Sequence, residues 1–169
     1  MGVAFRYTAR CKMIISISGA PGTGKTDIAK ALGKLLGWKV IHLNDLAAKK
    51  TLYIGYDLKR KCKVVDLDAL TEEIGKERRK HKNLILESHY AHEMNSDMVV
   101  ILRCHPKELK KRLEKKNWSK KKIQENLEAE IMEVCRQEAW ELGRKIADVD
   151  TTGKTAEEAA GKIRELIVL

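Results

Sequence analysis

Residues 19–26 read Gly-Ala-Pro-Gly-Thr-Gly-Lys-Thr and follow the apolar run Met13-Ile14-Ile15-Ser16-Ile17-Ser18. This is G-x-x-x-x-G-K-[ST] between a strand and a helix start, the setting that the P-loop pattern requires. The motif constrains the fold because the chain must leave a strand, turn tightly and enter a helix that returns along the sheet. Gly22 and Gly24 lack a Cβ, so the turn can take positive φ and let phosphate oxygens approach the backbone. The N–H groups of such a loop and the positive end of the helix dipole favour anions. Lys25 has the reach for β- and γ-phosphates, and the Thr26 hydroxyl is a ligand for Mg²⁺.

The rest of the chain alternates strand and helix patterns. Strands are predicted at 13–18, 38–42, 84–86, 97–103 and 146–150. Between them lie helical patterns at 25–36, 68–80 with Asp68 as N-cap, 106–115 with Pro106 in its first position, and 119–142 capped by Ser119. The long pattern carries Ile123, Leu127, Ile131, Val134, Cys135, Ala139 and Leu142 at three-to-four spacing, and a last helix is predicted over 155–168. The consecutive apolar residues 98–102 fit a strand buried on both faces. The expectation is a P-loop NTPase fold, a three-layer α/β/α sandwich around a five-stranded parallel sheet. Ligands of such sheets sit at the carboxyl ends of the strands.

A length of 169 residues fits one domain, and 43% hydrophobic with 34% charged residues fits a globular one. Cys11, Cys62, Cys104 and Cys135 are scattered without a C-x-x-C pair. That argues against a zinc site or a disulfide framework and for a reducing compartment, the cytoplasm. No apolar run has the length of a membrane span. Residues 1–12 form an extension ahead of the fold, without the apolar stretch of a signal peptide. Either a dispensable arm or an upstream start codon accounts for it.

The net charge of +10 is uneven, with ten Lys/Arg in 103–122 against Glu108 and Glu114. Such a block closes over a polyphosphate, touches RNA, or is a solvated helix face.

Glu87, Ser88 and His89 follow a predicted strand, and Arg103 ends the next, at the sheet end where the loop would hold phosphates. Glu87 is the candidate acidic partner of Mg²⁺, directly or through water. His89 is either an orienting and proton-transferring group or an ordinary loop histidine. His89, His92 and Glu93 lack zincin spacing.

The loop sequence joins Asn44-Asp45-Leu46-Ala47, Leu52-Tyr53-Ile54-Gly55-Tyr56-Asp57, Val65-Asp66, Glu87-Ser88-His89, Arg103, Arg112-Leu113-Glu114 and Asn126-Leu127-Glu128-Ala129-Glu130-Ile131. Together these resemble the adenylate kinase isoenzyme 6 family from Met13 to the C-terminus. The resemblance implies a small nucleoside monophosphate (NMP) kinase that also hydrolyses ATP. It implies a short NMP-binding segment over about 40–63, with Asp45, Tyr56 and Asp57 as candidate residues, and a lid over about 114–122. It also implies a role in late maturation of the small ribosomal subunit and 16S rRNA processing. The partner would be a ribosomal protein of the platform, universal small-subunit protein eleven.

By the same resemblance, ATP would be bound by Gly22, Gly24, Lys25, Thr26, Asp27 and the lid residue Lys116. Lys25, Glu87 and His89 would be catalytic, and Mg²⁺ would lie at Thr26 and Glu87. Arg103 and Arg112 are further phosphate or lid candidates. The chain departs from the family pattern at three places. Glu87 stands where many members carry Asp, Lys116 where Arg is usual, and Ala48 where Arg is frequent, with Lys49 and Lys50 following. Lysine loses the bidentate grip of arginine on phosphate. These departures rank ATP hydrolysis above AMP phosphorylation. Another small P-loop kinase, of shikimate, gluconate or nucleoside type, is the alternative.

Overall fold

The apolar run ahead of the glycine-rich loop becomes the central strand of the sheet. The structure, a computed structural model, describes residues 12–58 and 62–167. The expected extension lies outside the described residues except for Lys12, as does the stretch 59–61 of the expected NMP segment. In chain order the elements are β1 (Ile14–Ser18), α1 (Lys25–Leu36), β2 (Lys39–His42), α2 (Leu43–Lys50), β3 (Tyr53–Asp57) and β4 (Cys62–Val65). Then come α3 (Leu67–Lys80), β5 (Leu84–Glu87), a 3₁₀ turn at Ala91–Glu93, β6 (Met98–Arg103) and α4 (Pro106–Glu114). The chain closes with α5 (Lys120–Ile131), α6 (Val134–Glu141), β7 (Ile146–Asp150) and α7 (Ala156–Leu166).

The main sheet has five strands in the order β2-β5-β1-β6-β7, and every pairing in it is parallel. Alternate residues of β1 serve opposite faces. Ile15 and Ile17 join Ile28 and Leu32 of α1 and Ala159 and Ile163 of α7 on one face. Ile14 joins Leu70 and Ile74 of α3 on the other. This period-two division is what a sheet covered on both sides demands.

Several sequence expectations need correction. The pattern over 119–142 is two helices, not one. Ile123 and Leu127 pack on Leu109 and Leu113 of α4, whereas Ala139 and Cys135 pack on Val99 and Ile101 of β6. The halves face different partners, so the chain turns between them. Glu133 takes φ 54° at the turn, and Ile131 is left 60% exposed instead of joining the stripe. Helix α3 is capped by Asp66, whose side chain accepts from the Ala69 N–H, rather than by Asp68. Ser119 does cap its helix, accepting from Lys122 N–H, and Pro106 opens α4. The region 43–65, not assigned to elements from pattern, holds α2 and the antiparallel β3–β4 hairpin.

Helix α4 is wedged against the phosphate loop. A Cβ on Gly22, at φ +90°, would come within 2.9 Å of both Leu109 Cδ1 and Leu113 Cδ2. Glycine therefore provides the conformation and also the room for α4 to dock. Truncating either leucine to alanine would cost about 2–5 kcal/mol and loosen this contact.

Candidate active site

The turn after β1 leaves the first-turn N–H groups of α1 unpaired. Its cap residue, Gly24, offers no side-chain acceptor. The first amide with a backbone partner is that of Ile28, which donates to Gly24 C=O at 3.0 Å. The N–H groups of Lys25, Thr26 and Asp27 thus have no acceptor among the described residues. Gly22 and Gly24 have φ of 90° and 92°. Orphan amides at a helix start, served by a left-handed glycine turn, form an anion site. Thr23 stabilises the turn through Oγ1, which donates to Ala20 C=O at 2.8 Å.

Lys25 Nζ donates to the loop's own carbonyls, Gly19 O at 3.0 Å and Ala20 O at 2.9 Å. Burial lowers its pKa from 10.5 to about 8, while the nearby Glu87 carboxylate pulls it back up. A desolvated lysine on weak neutral acceptors gains most from an arriving polyanion.

Glu87 ends β5 and is buried. Its Oε2 accepts from His42 Nδ1 at 2.8 Å. Its Oε1 has no hydrogen-bond partner among the described residues. The Thr26 hydroxyl is similarly without one, and both residues line the same cavity. One free carboxylate oxygen and one free hydroxyl are hard oxygen donors, and they fit Mg²⁺.

The cavity has a volume of about 560 Å³ and runs along the loop. It brings together Gly22, Gly24, Lys25, Thr26, Asp27, Glu87, His89, Arg112 and Lys116 of the sequence-predicted residues. Arg112 is fixed there: it pairs with Glu108, and its Nη2 donates to Thr151 C=O at 3.0 Å. Lys116 and Lys122 lie over the Trp118 ring at 5.3 and 4.1 Å, so Trp118 holds the turn after α4 by cation–π contact.

The remaining candidates are elsewhere. Arg103 does not line the cavity. Its Nε donates to Glu130 at 2.9 Å and its Nη1 pairs with Glu133 at 2.8 Å. In this structure its guanidinium is engaged by these acidic side chains and not by the cavity. Glu130 also accepts from Cys104 N–H at 3.0 Å, so it joins the end of β6 to α5. Asp45 on α2 and Tyr56 on β3 are exposed, and with Asp57 they lie off the cavity lining.

Sequence reasoning missed Asn44, Thr151, Lys154 and Ala156, which line the cavity. The Thr-Thr-Gly turn after a predicted last strand was the available signal, since carboxyl ends of strands carry ligands.

A family model described as "AAA domain" matches residues 15–133. A relative from Methanosarcina acetivorans named "Putative adenylate kinase" is 44% identical over 162 residues, covering 92% of this chain and 86% of its own length. One of the same name from Pyrococcus furiosus is 43% identical over 155 residues, with 92% and 84% covered. Among solved structures, shikimate kinase from Acinetobacter baumannii in complex with shikimate matches at TM-score 0.63 and 19% identity, covering 92% of both chains. Deoxyadenosine kinase from M. mycoides matches at 0.55 and 16%, covering 90% of this chain and 97% of its own. These two share the fold. With the loop, Lys25 and Glu87 in one cavity and this identity across nearly the whole sequence, the chain belongs to the AAA-domain family of P-loop proteins and, within it, to an adenylate-kinase-like group of small P-loop kinases.

Proposed function

We propose that the protein transfers the γ-phosphoryl group of ATP to a nucleoside monophosphate, AMP, and also hydrolyses ATP to ADP and phosphate. The observation that carries this reading is the cavity that joins the unpaired α1 amides, Lys25 and the buried Glu87. The amides and Lys25 hold the phosphates, and Lys25 leaves the loop carbonyls to do so. Mg²⁺, held by Thr26 and Glu87, would supply charge neutralisation on the phosphate oxygens. Arg112 and Lys116 face the same space and offset charge on the transferring group. His42 fixes the Glu87 carboxylate through Oε2. His89, exposed at the cavity wall, orients the attacking water in hydrolysis. Segment 40–63 receives the monophosphate and the turn within 114–122 excludes water as a lid.

The adenylate kinase name of the relatives favours AMP over shikimate or gluconate as acceptor. Product analysis tests this. Purified protein with Mg-ATP should form ADP from AMP, and should release phosphate slowly without any monophosphate. Phosphorylation of shikimate, gluconate or a nucleoside in preference to AMP would overturn the substrate assignment.

A second reading rests on the lysines of α4 and α5. Lys107, Lys110, Lys111, Lys120, Lys121 and Lys122 are exposed on this one helical pair, and Lys115 is exposed at the C-cap of α4. In this reading ATP hydrolysis is a switch, and the client is the maturing small ribosomal subunit with its platform protein. The free thiols Cys62, Cys104 and Cys135 support work in the reducing cytoplasm. Among the described residues no helix is long and apolar enough to cross a membrane.

A further inference from the structure

We propose that His92 Nε2, Cys135 Sγ and the Glu138 carboxylate form a binding site for a borderline-soft divalent cation of the zinc class. The three residues come from two elements, the 3₁₀ turn after β5 and helix α6. Their ligand atoms all lie within 4.8 Å of one another. Cys135 and Glu138 are three positions apart and so share one face of α6.

The hydrogen bonds around His92 prepare it as a ligand. Ser18 Oγ has one hydrogen, and donates it to His89 C=O at 2.9 Å. Ser18 must therefore accept from His92 Nδ1–H, at 2.8 Å. A neutral imidazole so held presents a bare lone pair at Nε2. That atom is buried, with His92 only 1% exposed, and forms no hydrogen bond. It lies 3.1 Å from Glu138 Oε2, but the carboxylate is off the N–H direction. A lone pair and a carboxylate in contact repel unless a cation or a proton comes between them. A proton would give an ion pair and a dication a metal site, and cobalt titration tells the two apart.

The 3.1 Å between His92 Nε2 and Glu138 Oε2 is near the spacing of two ligands on one metal ion, with Cys135 Sγ within 4.8 Å of both. Nitrogen and oxygen ligands at about 2.0–2.2 Å from a tetrahedral ion stand about 3.4 Å apart. One imidazole, one thiolate and one carboxylate suit Zn²⁺ or Co²⁺ and not Mg²⁺ or Ca²⁺. Burial raises the Cys135 thiol pKa, so binding displaces its proton to solvent as the metal–sulfur bond forms. The dication with one thiolate and one carboxylate is then neutral overall, which suits a site this close to Lys25. The fourth position is left for water. The ion would clamp α6 to the turn that carries His89, whose carbonyl also accepts from Cys135 Sγ at 3.7 Å.

The test is cobalt titration of the full chain carrying Cys11→Ser and Cys62→Ser, followed by the thiolate-to-cobalt charge-transfer band. We expect one Co²⁺ per chain, displaced by Zn²⁺. Cys135→Ser should lose the band, and Glu138→Gln should weaken binding at least fivefold. Glu138 is exposed, so its variant keeps the test decisive even where Cys135→Ser fails to fold. Absence of the band, its survival in Cys135→Ser, or less than fivefold weakening in Glu138→Gln would each overturn the site.

Discussion

Lys25 combines two demands in one side chain. It must be charged to hold phosphate, yet burial lowers its pKa to about 8. Its folded pKa lies below the unfolded value, so between the two the folded protein binds fewer protons. This group's contribution to stability therefore rises with pH across that window. ATP acts the other way, because phosphates favour the protonated amine. ATP binding above about pH 8 should take up protons, and affinity should fall as pH rises. Calorimetry in buffers of different ionisation enthalpy measures this, and Lys25→Arg should abolish it. Equal binding heats in all buffers at that pH would refute the linkage. Lys25→Ala should reduce both transfer and hydrolysis by about 10²-fold or more. His89→Ala should lower phosphate release more than AMP phosphorylation, since only hydrolysis needs the placed water; equal loss of both would remove that role.

At the scale of elements, one buried carboxylate ties the end of α5, just before the break, to the end of β6. Glu130 is 4% exposed and binds both the Arg103 guanidinium and the Cys104 N–H. Glu130→Ala leaves both donors without their partner and should destabilise the fold by about 2–4 kcal/mol. Urea denaturation measures it, and a change under 1 kcal/mol on the order of a surface mutation would show that the clamp is dispensable. Periodicity over 119–142 could not reveal the break, because both halves keep helical spacing. Which neighbour each half packs on is a tertiary fact. Arg103 shows the same limit. Its place at a strand end implied a phosphate ligand, but its acidic partners lie 27 and 30 positions away.

For the whole molecule, charge is segregated and the cavity sits at the meeting point of separate elements. The α4–α5 pair holds exposed lysines beside the site, while Arg112 joins α4 to Gly22 C=O at 3.5 Å and to the turn after β7. Polyphosphate binding therefore couples to the fold as a unit. Saturating Mg-ATP at about 100 times its Kd should add about 2.7 kcal/mol of stability. A raised Tm in wild type but not in Lys25→Ala is the expected thermal-shift result. Under the second reading proposed above, small-subunit rRNA should bind in fluorescence anisotropy, and that binding should weaken steeply and log-linearly with salt. Salt-independent binding would remove the lysine face from that role.

The sequence by itself determined the central strand, the phosphate loop, the parallel α/β order and the carboxyl-end position of Glu87 and His89. These follow from local period, turn chemistry and a rule of sheet topology, all written within short windows. The tertiary structure alone decided the partners. It paired Arg103 with Glu130 and Glu133, gave Glu87 its hydrogen bond from His42, and added Thr151 and Lys154 to the cavity. It also set His92 against the Cys135–Glu138 face of α6, which no spacing rule connects to it. Such contacts depend on how separate elements stack, and the side chains that meet there are far apart along the chain.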